Sequence, residues 1–184
     1  MTRRLLTEAQ WAEELHNFRF TAFRLELQDS YAEPEEDHLY AAWLRGEEPS
    51  PLEEVPELKE WFARVAHHVR QGKRIERVRV QREPPTPYQR FERWLDTWNR
   101  RAGETMRYMT WDHAHETGLL PAAGNEDWWL YDSARLLVMR FDPHTGQRVE
   151  NELVTDPRIV VQACAWRDLA VHHSVRAAPG VAAQ

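Results

Sequence analysis

Charged side chains interrupt apolar segments of this sequence, and they offer its best-placed chemistry. Arg24 and Glu26 fall within the apolar run at 20–27, and Arg77 and Arg79 alternate with valines. An arginine keeps its charge at physiological pH, so a partly buried one needs a carboxylate or an anionic ligand as its partner. Two arrangements meet this need: an internal network of ion pairs, or a pocket for a phosphate, a carboxylate or a nucleotide.

A second polar group lies where a helix is predicted to begin. Thr86-Pro87-Tyr88-Gln89 is a capping box with proline at the first helical position. The unpaired N–H groups and the dipole of a helix start favour anions, and Arg90 adds a fixed positive charge. We expect this helix start to form a wall of the main concavity, with Trp128 or Trp129 beside Tyr88 as a stacking face. The alternative is that Tyr88 and Arg90 only seal the edge of the sheet.

Two further residues complete the candidate site: Arg107 flanks a predicted strand, and Asp132 ends another. The predicted ligand-binding residues are therefore Arg24, Arg77, Arg79, Tyr88, Arg90, Glu92, Arg107, Trp128, Trp129 and Asp132. If a reaction takes place there, Glu92 or Asp132 is the candidate acid–base residue. The sequence itself assigns no catalytic residue.

Several kinds of site are disfavoured by residue type and spacing. Asp112-His113-Ala114-His115-Glu116 comes nearest to a metal motif, but its two histidines share a face only on a strand and lack a third ligand. Cys164 is the only cysteine, which excludes a disulfide scaffold and a cysteine-based zinc cluster. No G-x-S-x-G elbow and no G-x-G phosphate loop occurs. We expect no metal and no cofactor.

The charge of the chain is unevenly spread. The formal net charge is −6, but residues 1–60 carry 6 basic and 15 acidic groups, whereas residues 61–110 carry 12 and 5. Either the basic middle packs against the acidic N-terminal part, or it lines a pocket for an acidic ligand. With no apolar run of about 18 residues and no apolar segment near Met1, we expect a cytoplasmic protein without a membrane span.

The elements that hold these residues follow from apolar spacing and turn signals. Residues 1–184 are predicted to form a single α+β domain with a mixed, mostly antiparallel sheet flanked by helices. Its N-terminal part at 1–60 is expected to be largely helical, and 177–184 to be a frayed tail. Helices are predicted at 7–18, 35–44, 58–71, 86–98 and 156–171. The first follows a capping box at Thr7-Glu8-Ala9-Gln10, and a surface linker is predicted at 46–56. Strands are predicted at 74–82, 105–110, 128–132, 136–142 and 148–154, with a weaker one after residue 22.

A combination of short motifs from about residue 15 to 175 resembles a small family of unknown function from actinobacteria, mainly streptomycetes. Its members are typically encoded beside helix-turn-helix regulators of development and secondary metabolism. The N-terminal motifs are Thr21-Ala22-Phe23-Arg24-Leu25-Glu26, Gly72-Lys73-Arg74, Arg77-Val78-Arg79-Val80, Pro84, Tyr88, Arg90-Phe91-Glu92, Asn99, Gly103-Glu104 and Arg107. The C-terminal motifs are Asp127-Trp128-Trp129-Leu130-Tyr131-Asp132, Met139, Phe141-Asp142, Asp156-Pro157 and Trp166-Arg167-Asp168-Leu169.

The resemblance implies a standalone cytoplasmic protein in a regulatory setting, with a helix-turn-helix regulator or another protein as its partner. It brings no activity and no catalytic residues. The β-rich half is also similar to phospholipase-D-like sheets, but the H-x-K motif of those enzymes is missing, so we do not expect hydrolysis of that type.

Three functions remain open at this stage. The first is a regulatory or accessory protein, without enzymatic activity, that binds a partner protein or a small anionic ligand. The second is a small biosynthetic or nucleotide-processing enzyme that uses the same pocket. The third is a nucleic-acid-binding accessory that uses the basic middle of the chain.

The first prediction concerns DNA. We expect no tight binding of duplex DNA by the protein alone, because its acidic balance leaves too few phosphate contacts. A gel shift at about 150 mM salt measures this, and submicromolar affinity there would contradict it, since non-specific binding is usually far weaker.

Overall fold

The computed structural model describes residues 3–34, 36–47 and 55–177. The predicted α+β class is confirmed, because these residues form helices packed on one mixed sheet. The helices are α1 (Glu8–His16), α2 (Asp37–Leu44), α3 (Pro56–Arg70), α4 (Pro87–Ala102), α5 (Trp111–Glu116) and α6 (Pro157–His173). The strands are β1 (Arg3–Leu5), β2 (Thr21–Glu26), β3 (Arg74–Gln81), β4 (Thr105–Thr110), β5 (Asp127–Tyr131), β6 (Arg135–Phe141), β7 (Arg148–Val154) and β8 (Val175–Arg176).

The sheet has the strand order β1-β7-β6-β5-β2-β3-β4-β8. β2, β3 and β4 run parallel, and the other neighbouring pairs are antiparallel, as predicted. Parallel neighbours need a crossover connection; α2 and α3 connect β2 to β3, and α4 connects β3 to β4. The crossover helices α2, α3 and α4 therefore lie in the first two thirds of the chain, where the arginine-rich strands also lie.

The two faces of the sheet differ in chemistry. α5 and α6 cover one face, where an apolar core includes Leu25, Val78 and Trp128. The opposite face is covered by α1, α3 and α4, with α2 packed on α4. That face carries two apolar clusters, one around Trp129 and one around Phe91. Buried charged residues lie between them.

Two helix starts confirm the capping boxes read from the sequence. At α1, Gln10 N–H donates to Thr7 Oγ1 (3.3 Å) and Thr7 N–H donates to Gln10 Oε1 (3.1 Å). At α4, Gln89 N–H donates to Thr86 Oγ1 (3.1 Å) and Thr86 N–H donates to Gln89 Oε1 (3.0 Å). Each box satisfies two backbone donors that the helix itself leaves unpaired.

Several elements differ from the sequence prediction. β1 and β8, the two edge strands, were not predicted, because three and two residues are too few to show a period of two. The 1–60 segment holds β1 and β2 as well as helices. Of the predicted tail at 177–184, only residue 177 lies among the described residues, and the predicted linker at 46–56 is described only at its two ends.

The histidine-containing segment at 112–116 is helical rather than extended. It lies in α5, which Thr110 caps by accepting a hydrogen bond from His113 N–H (3.2 Å). On a helix, residues at i and i+2 point in different directions, so His113 and His115 do not share a face. None of the helices in the described ranges is long and apolar enough to cross a membrane.

Gly103 ends α4 in a conformation that depends on the missing side chain. Its φ is +102°, and a Cβ there would lie 2.9 Å from a methyl carbon of Val69 on α3. Gly72 also has a positive φ, +80°, but nothing lies within 4 Å of a Cβ built on it. An alanine at position 72 would therefore meet backbone strain alone, whereas an alanine at position 103 would meet both backbone strain and steric overlap with Val69.

The second prediction uses this pair. Gly72→Ala should cost about 1 kcal/mol through left-handed backbone strain, whereas Gly103→Ala should cost about 2–3 kcal/mol because overlap with Val69 is added. Urea unfolding of the two variants measures the difference. Equal losses of stability would show that the α3–α4 contact accommodates a methyl group freely.

Candidate ligand-binding site

Strand register places the charged residues in two rows on the face covered by α1, α3 and α4. In the first row, Arg24 lies between Trp129 of β5 and Arg77 of β3. In the second row, Glu26 pairs with Arg79. Alternation turns the valines next to Arg77 and Arg79 towards the opposite face, which is the arrangement predicted for β3.

Glu26 is the centre of this cluster, because all three arginines contact its carboxylate. Arg24 Nε lies 2.9 Å and Arg77 Nη1 2.8 Å from Oε1, while Arg79 Nη1 lies 2.6 Å from Oε2. The Arg77 contact also has hydrogen-bond geometry; the other two are ion pairs by distance alone. The prediction that Arg77 and Arg79 contact acidic side chains from other elements is confirmed.

α4 supplies the carboxylates that surround Arg79. Glu92 and Asp96 are one turn apart, so they lie on the same side of the helix. Arg79 donates to Glu92 Oε1 and, from Nη2, to Asp96 Oδ1 at 3.0 Å. Tyr108 of β4 donates to the other Asp96 oxygen at 2.5 Å, and Asn99 donates to Oδ1 at 3.4 Å. Asp96 is thus held by side chains from β3, β4 and α4, whereas the contact to Glu92 comes from Arg79 of β3.

Two more carboxylates hold the remaining arginines. Glu104 directly follows the α4 terminus at Gly103 and accepts from Arg77 Nε at 2.9 Å. Asp127 begins β5 and lies 3.5 Å from Arg24 Nη2. Asp127 also accepts from the Tyr31 hydroxyl at 2.6 Å. Each arginine is therefore ion-paired with at least two carboxylates, which restricts the rotation of its guanidinium group.

The pKa of each buried carboxyl depends on its burial and on how many arginines lie close to it. Burial alone would raise the pKa of Glu26, yet Arg24, Arg77 and Arg79 together lower it to about 2. Burial raises the pKa of Glu92 well above its ordinary value, because Arg79, its one cationic contact among the described residues, is shared with two other carboxylates. Burial, with repulsion from Glu33, raises the pKa of Glu36 to about 7.

A cavity of about 490 Å³ lies above the cluster. Its charged lining includes Arg24, Glu26, Glu36, Arg77, Arg79, Glu92 and Arg148, with Glu8, Glu33, Glu60 and Arg64 also contributing. Its aromatic lining consists of Trp11, Tyr31, Trp61, Phe62, Tyr88, Trp129 and Phe141. A concave site with apolar and aromatic walls and a few fixed polar groups is typical of small-molecule binding.

The aromatic rings also hold the arginines. The Arg24 guanidinium carbon lies 5.5 Å from the Trp129 ring centroid and 5.7 Å from that of Tyr31. The Arg77 guanidinium carbon lies 5.8 Å from the Trp129 ring. Trp129 is 2% exposed, and its indole Nε1 has no hydrogen-bond partner among the described residues. It is a buried donor in the lining of the cavity.

The structure brings six of the predicted site residues together. Those lining the cavity are Arg24, Arg77, Arg79, Tyr88, Glu92 and Trp129. Four others lie elsewhere: Arg90, Arg107, Trp128 and Asp132. The expected wall at the start of α4 is present through Tyr88, whose hydroxyl donates to Glu36 Oε2 at 3.2 Å.

Two of the displaced residues lie on or beside α4 and β4. Arg90 is exposed and donates to the Pro85 carbonyl at 2.9 Å, because it points away from the sheet at the helix start. Arg107 pairs with Glu76 at 2.6 Å, and its Nη1 donates to the Val171 carbonyl of α6. Its register opposite Val78 puts Arg107 on the other face of the sheet from the cavity.

The other two displaced residues lie on β5 and in the turn after it. Trp128 alternates with Trp129 and therefore packs on the α6 face against Phe23 and Trp166. Asp132, at φ 54°, turns into β6 and accepts backbone hydrogen bonds from Arg19, Phe20 and Thr21 at 2.7–3.0 Å. Although it is partly buried, these bonds lower the pKa of Asp132, which suits a structural carboxylate rather than a proton donor.

Sequence reasoning missed part of the site. Asp96 sits four residues after Glu92, and this spacing was the available signal for a shared helix face. Tyr31 and Glu36 lie far from Arg148 in sequence, and only the fold brings them to one cavity. Within the described residues, no group of three or more His, Cys, Asp or Glu side chains is placed to hold a metal ion.

The fold is similar to that of a solved phospholipase D family member. A phospholipase D family member, Nuc from Salmonella typhimurium, has a TM-score of 0.55 at 7% identity, covering 95% of this chain and 98% of that chain. TrmBL2, an archaeal chromatin protein, has 0.48 at 8% identity, covering 96% of this chain and 55% of that chain. Phosphatidylserine synthase from Haemophilus influenzae Rd KW20 has 0.49 at 10% identity, covering 92% and 36%. The likeness to Nuc shows the fold alone, and the two lower scores are too weak to interpret.

Fold and cavity together define an α+β protein with a charged and aromatic cavity over a mixed sheet. By sequence, the chain belongs to the family described as a domain of unknown function (DUF6879), which matches residues 9–179. No curated protein matches the sequence significantly. The function must therefore be argued from the site itself.

The third prediction concerns the buried network. Arg79→Met should cost about 3–5 kcal/mol, because it leaves Glu92 and Asp96 buried without their cation. Arg82→Met, which removes an exposed ion pair with Asp29, should cost at most about 1 kcal/mol. Chemical denaturation measures both.

The pH dependence of that loss has a definite sign. Carboxyls left buried in the Arg79→Met variant have folded-state pKa values above their unfolded values, so their protonation favours the folded state at low pH. The deficit relative to wild type should therefore be smaller at about pH 5 than at about pH 8. Equal deficits for the Arg79 and Arg82 variants would mean that the network contributes no more than a surface pair.

Proposed function

We propose that this protein is a cytoplasmic regulatory or accessory protein that binds a small organic molecule in the cavity and does not transform it. The observation that carries this proposal is the 490 Å³ aromatic-walled cavity above a floor of immobilised ion pairs. Because these polar groups are already fixed, a ligand does not have to order them when it binds, which favours affinity and selectivity.

The residue types in the cavity support binding over catalysis. Within the described part of the chain, its lining contains no serine, threonine, cysteine, lysine or histidine. The nucleophiles of most covalent mechanisms are therefore missing from it. The arginines of its floor are already bound by carboxylates. Trp129 Nε1 and Trp11 Nε1 are buried donors without hydrogen-bond partners among the described residues, and both side chains line the cavity.

A small enzyme working in the same cavity is the second candidate, and Glu92 favours it. This carboxyl is buried in the lining, and burial raises its pKa well above the ordinary value. A carboxyl whose pKa is raised by burial is suited to general acid catalysis. Turnover of a bound compound that Glu92→Gln abolishes, with binding retained, would favour this second function.

The resemblance to proteins encoded beside helix-turn-helix regulators supports the regulatory setting. We propose that ligand occupancy changes how the protein contacts such a regulator or another protein partner. α2 is the element best placed to transmit the change, because Tyr40 and Trp43 pack on Phe91 of α4 while Glu36, just before α2, lines the cavity. A ligand that moves Glu36 would move the start of α2.

The fourth prediction tests occupancy of the cavity. Leu58→Trp enlarges a half-buried side chain in the cavity lining, and Ala63→Trp places the same side chain on the exposed side of α3. After incubation with an extract of cellular small molecules, native mass spectrometry should find a bound compound on wild type and on Ala63→Trp. The bound fraction of Leu58→Trp should fall at least about tenfold, because its indole takes the ligand's space.

Two results would contradict the proposal. One is a wild-type protein that retains no small molecule from any extract. The other is equal retention by both variants, which would place the bound compound outside this cavity.

A further inference from the structure

The buried charges beneath the cavity are unequal in number. Three arginines there contact five different carboxylates. The arginines are Arg24, Arg77 and Arg79, and the carboxylates are Glu26, Glu92, Asp96, Glu104 and Asp127. Glu36 adds a further carboxyl to the lining. In the lining as a whole, which also includes Arg64 and Arg148, there are six glutamates and five arginines, so positive charge is the minority there.

Glu92 and Glu36 are the lining carboxyls with the least compensation. In the described part of the chain, Glu92 has one hydrogen bond, from an arginine that also contacts Glu26 and Asp96. Glu36 accepts a hydrogen bond from the neutral Tyr88 hydroxyl and has no ion pair among the described residues. The raised pKa of each agrees with this shortage.

The charged groups around these two carboxyls come from several elements. Glu36 is influenced by Glu33 from its own loop, and by Arg79 and Arg77 from β3. Glu92 is influenced by Arg79 and Glu26 from the sheet, by Asp96 from α4, and by Glu36. The two carboxyls therefore act on each other, and Tyr88 lies beside both, since each raises its pKa further.

This balance decides the sign of the charge that the cavity accepts. An anion would enter among carboxylates and find every arginine of the floor already paired, so it would have to displace an internal ion pair. A cation would supply the charge that Glu92 and Glu36 lack. The Tyr31, Tyr88 and Trp129 rings add favourable faces for a cation or for a planar group.

We propose that the cavity recognises a small aromatic amine or amidine, with its cationic group between Glu92 and Glu36 and its ring among the aromatic side chains. This inference rests on the proposed binding function and names its ligand class. It replaces the anion that the arginine content alone favours, because the contacts of those arginines are satisfied inside the protein.

Matched probes of opposite charge test the inference. Tryptamine and indole-3-acetate share a ring, as do phenethylamine and phenylacetate, and all four keep their charge between pH 6 and 8. We expect both amines to bind at least about tenfold more tightly than their carboxylate partners at pH 8, measured by isothermal titration calorimetry or by ligand-observed NMR for weak binding.

Variants and pH locate the cationic group. Glu92→Gln and Glu36→Gln should each weaken tryptamine binding about tenfold. Glu116→Gln, at an exposed position on α5 across the sheet from the cavity, should change it less than about twofold. Tryptamine affinity should rise about tenfold from pH 6 to 8, because Glu36 must ionise through its pKa of about 7 to hold a cation. Circular dichroism of each variant verifies folding, and Glu36→Gln serves alone if Glu92→Gln unfolds.

Three results would overturn the inference: equal or tighter binding of the carboxylates, affinity for tryptamine that falls with rising pH, or no binding of either amine at about 10 mM, beyond the usual range of weak specific affinities. If wild type retains a compound that Leu58→Trp does not retain, any of these three results would leave the binding function intact. It would show only that the ligand is not a cation. Loss of that retention pattern would instead refute the binding function itself.

Discussion

The contact of Glu26 with three arginines is the interaction on which the rest of this structure depends. Burying three guanidinium groups side by side is prohibitive without carboxylates close to each of them. Parallel pairing of β2 with β3 puts Glu26 in register with Arg79, next to the row of Arg24 and Arg77. Once that pairing exists, α4 must present acidic residues to the sheet, which fixes both its rotation and its position.

The same constraint keeps this face of the sheet from closing into an ordinary apolar core. Apolar side chains on α1 and α3 pack around Trp129, and those on α2 and α4 pack around Phe91, but the charged rows between them cannot be covered by hydrocarbon. The cavity lies over these rows. A polar floor that is already rigid, with aromatic walls above it, is what a selective binding site requires. The structural network and the proposed site are thus two consequences of one arrangement.

Local patterns in the sequence predicted much of this fold, but not the full composition of the site. Alternation placed Arg77 and Arg79 on one face of β3, and two capping boxes marked helix starts, because these signals act within a few residues. The choice between Trp128 and Trp129 was beyond such signals, since it depends on the pairing of β5 with β2. Asp132 looks like a site residue in sequence, but it serves the backbone of a turn that only the tertiary structure reveals.

The most direct measurement of the central claim is the titration of individual glutamate side chains. NMR of protein carrying ¹³C-labelled glutamate carboxyls follows Glu26, Glu36 and Glu92 separately through the pH range in which the protein stays folded. The account predicts that Glu26 remains ionised down to about pH 2 or to acid unfolding, that Glu36 titrates near pH 7, and that Glu92 titrates well above its ordinary pKa. If all three titrate near the ordinary glutamate value of about 4.3, the carboxyls are in water, and neither the buried network nor the charge imbalance above it exists.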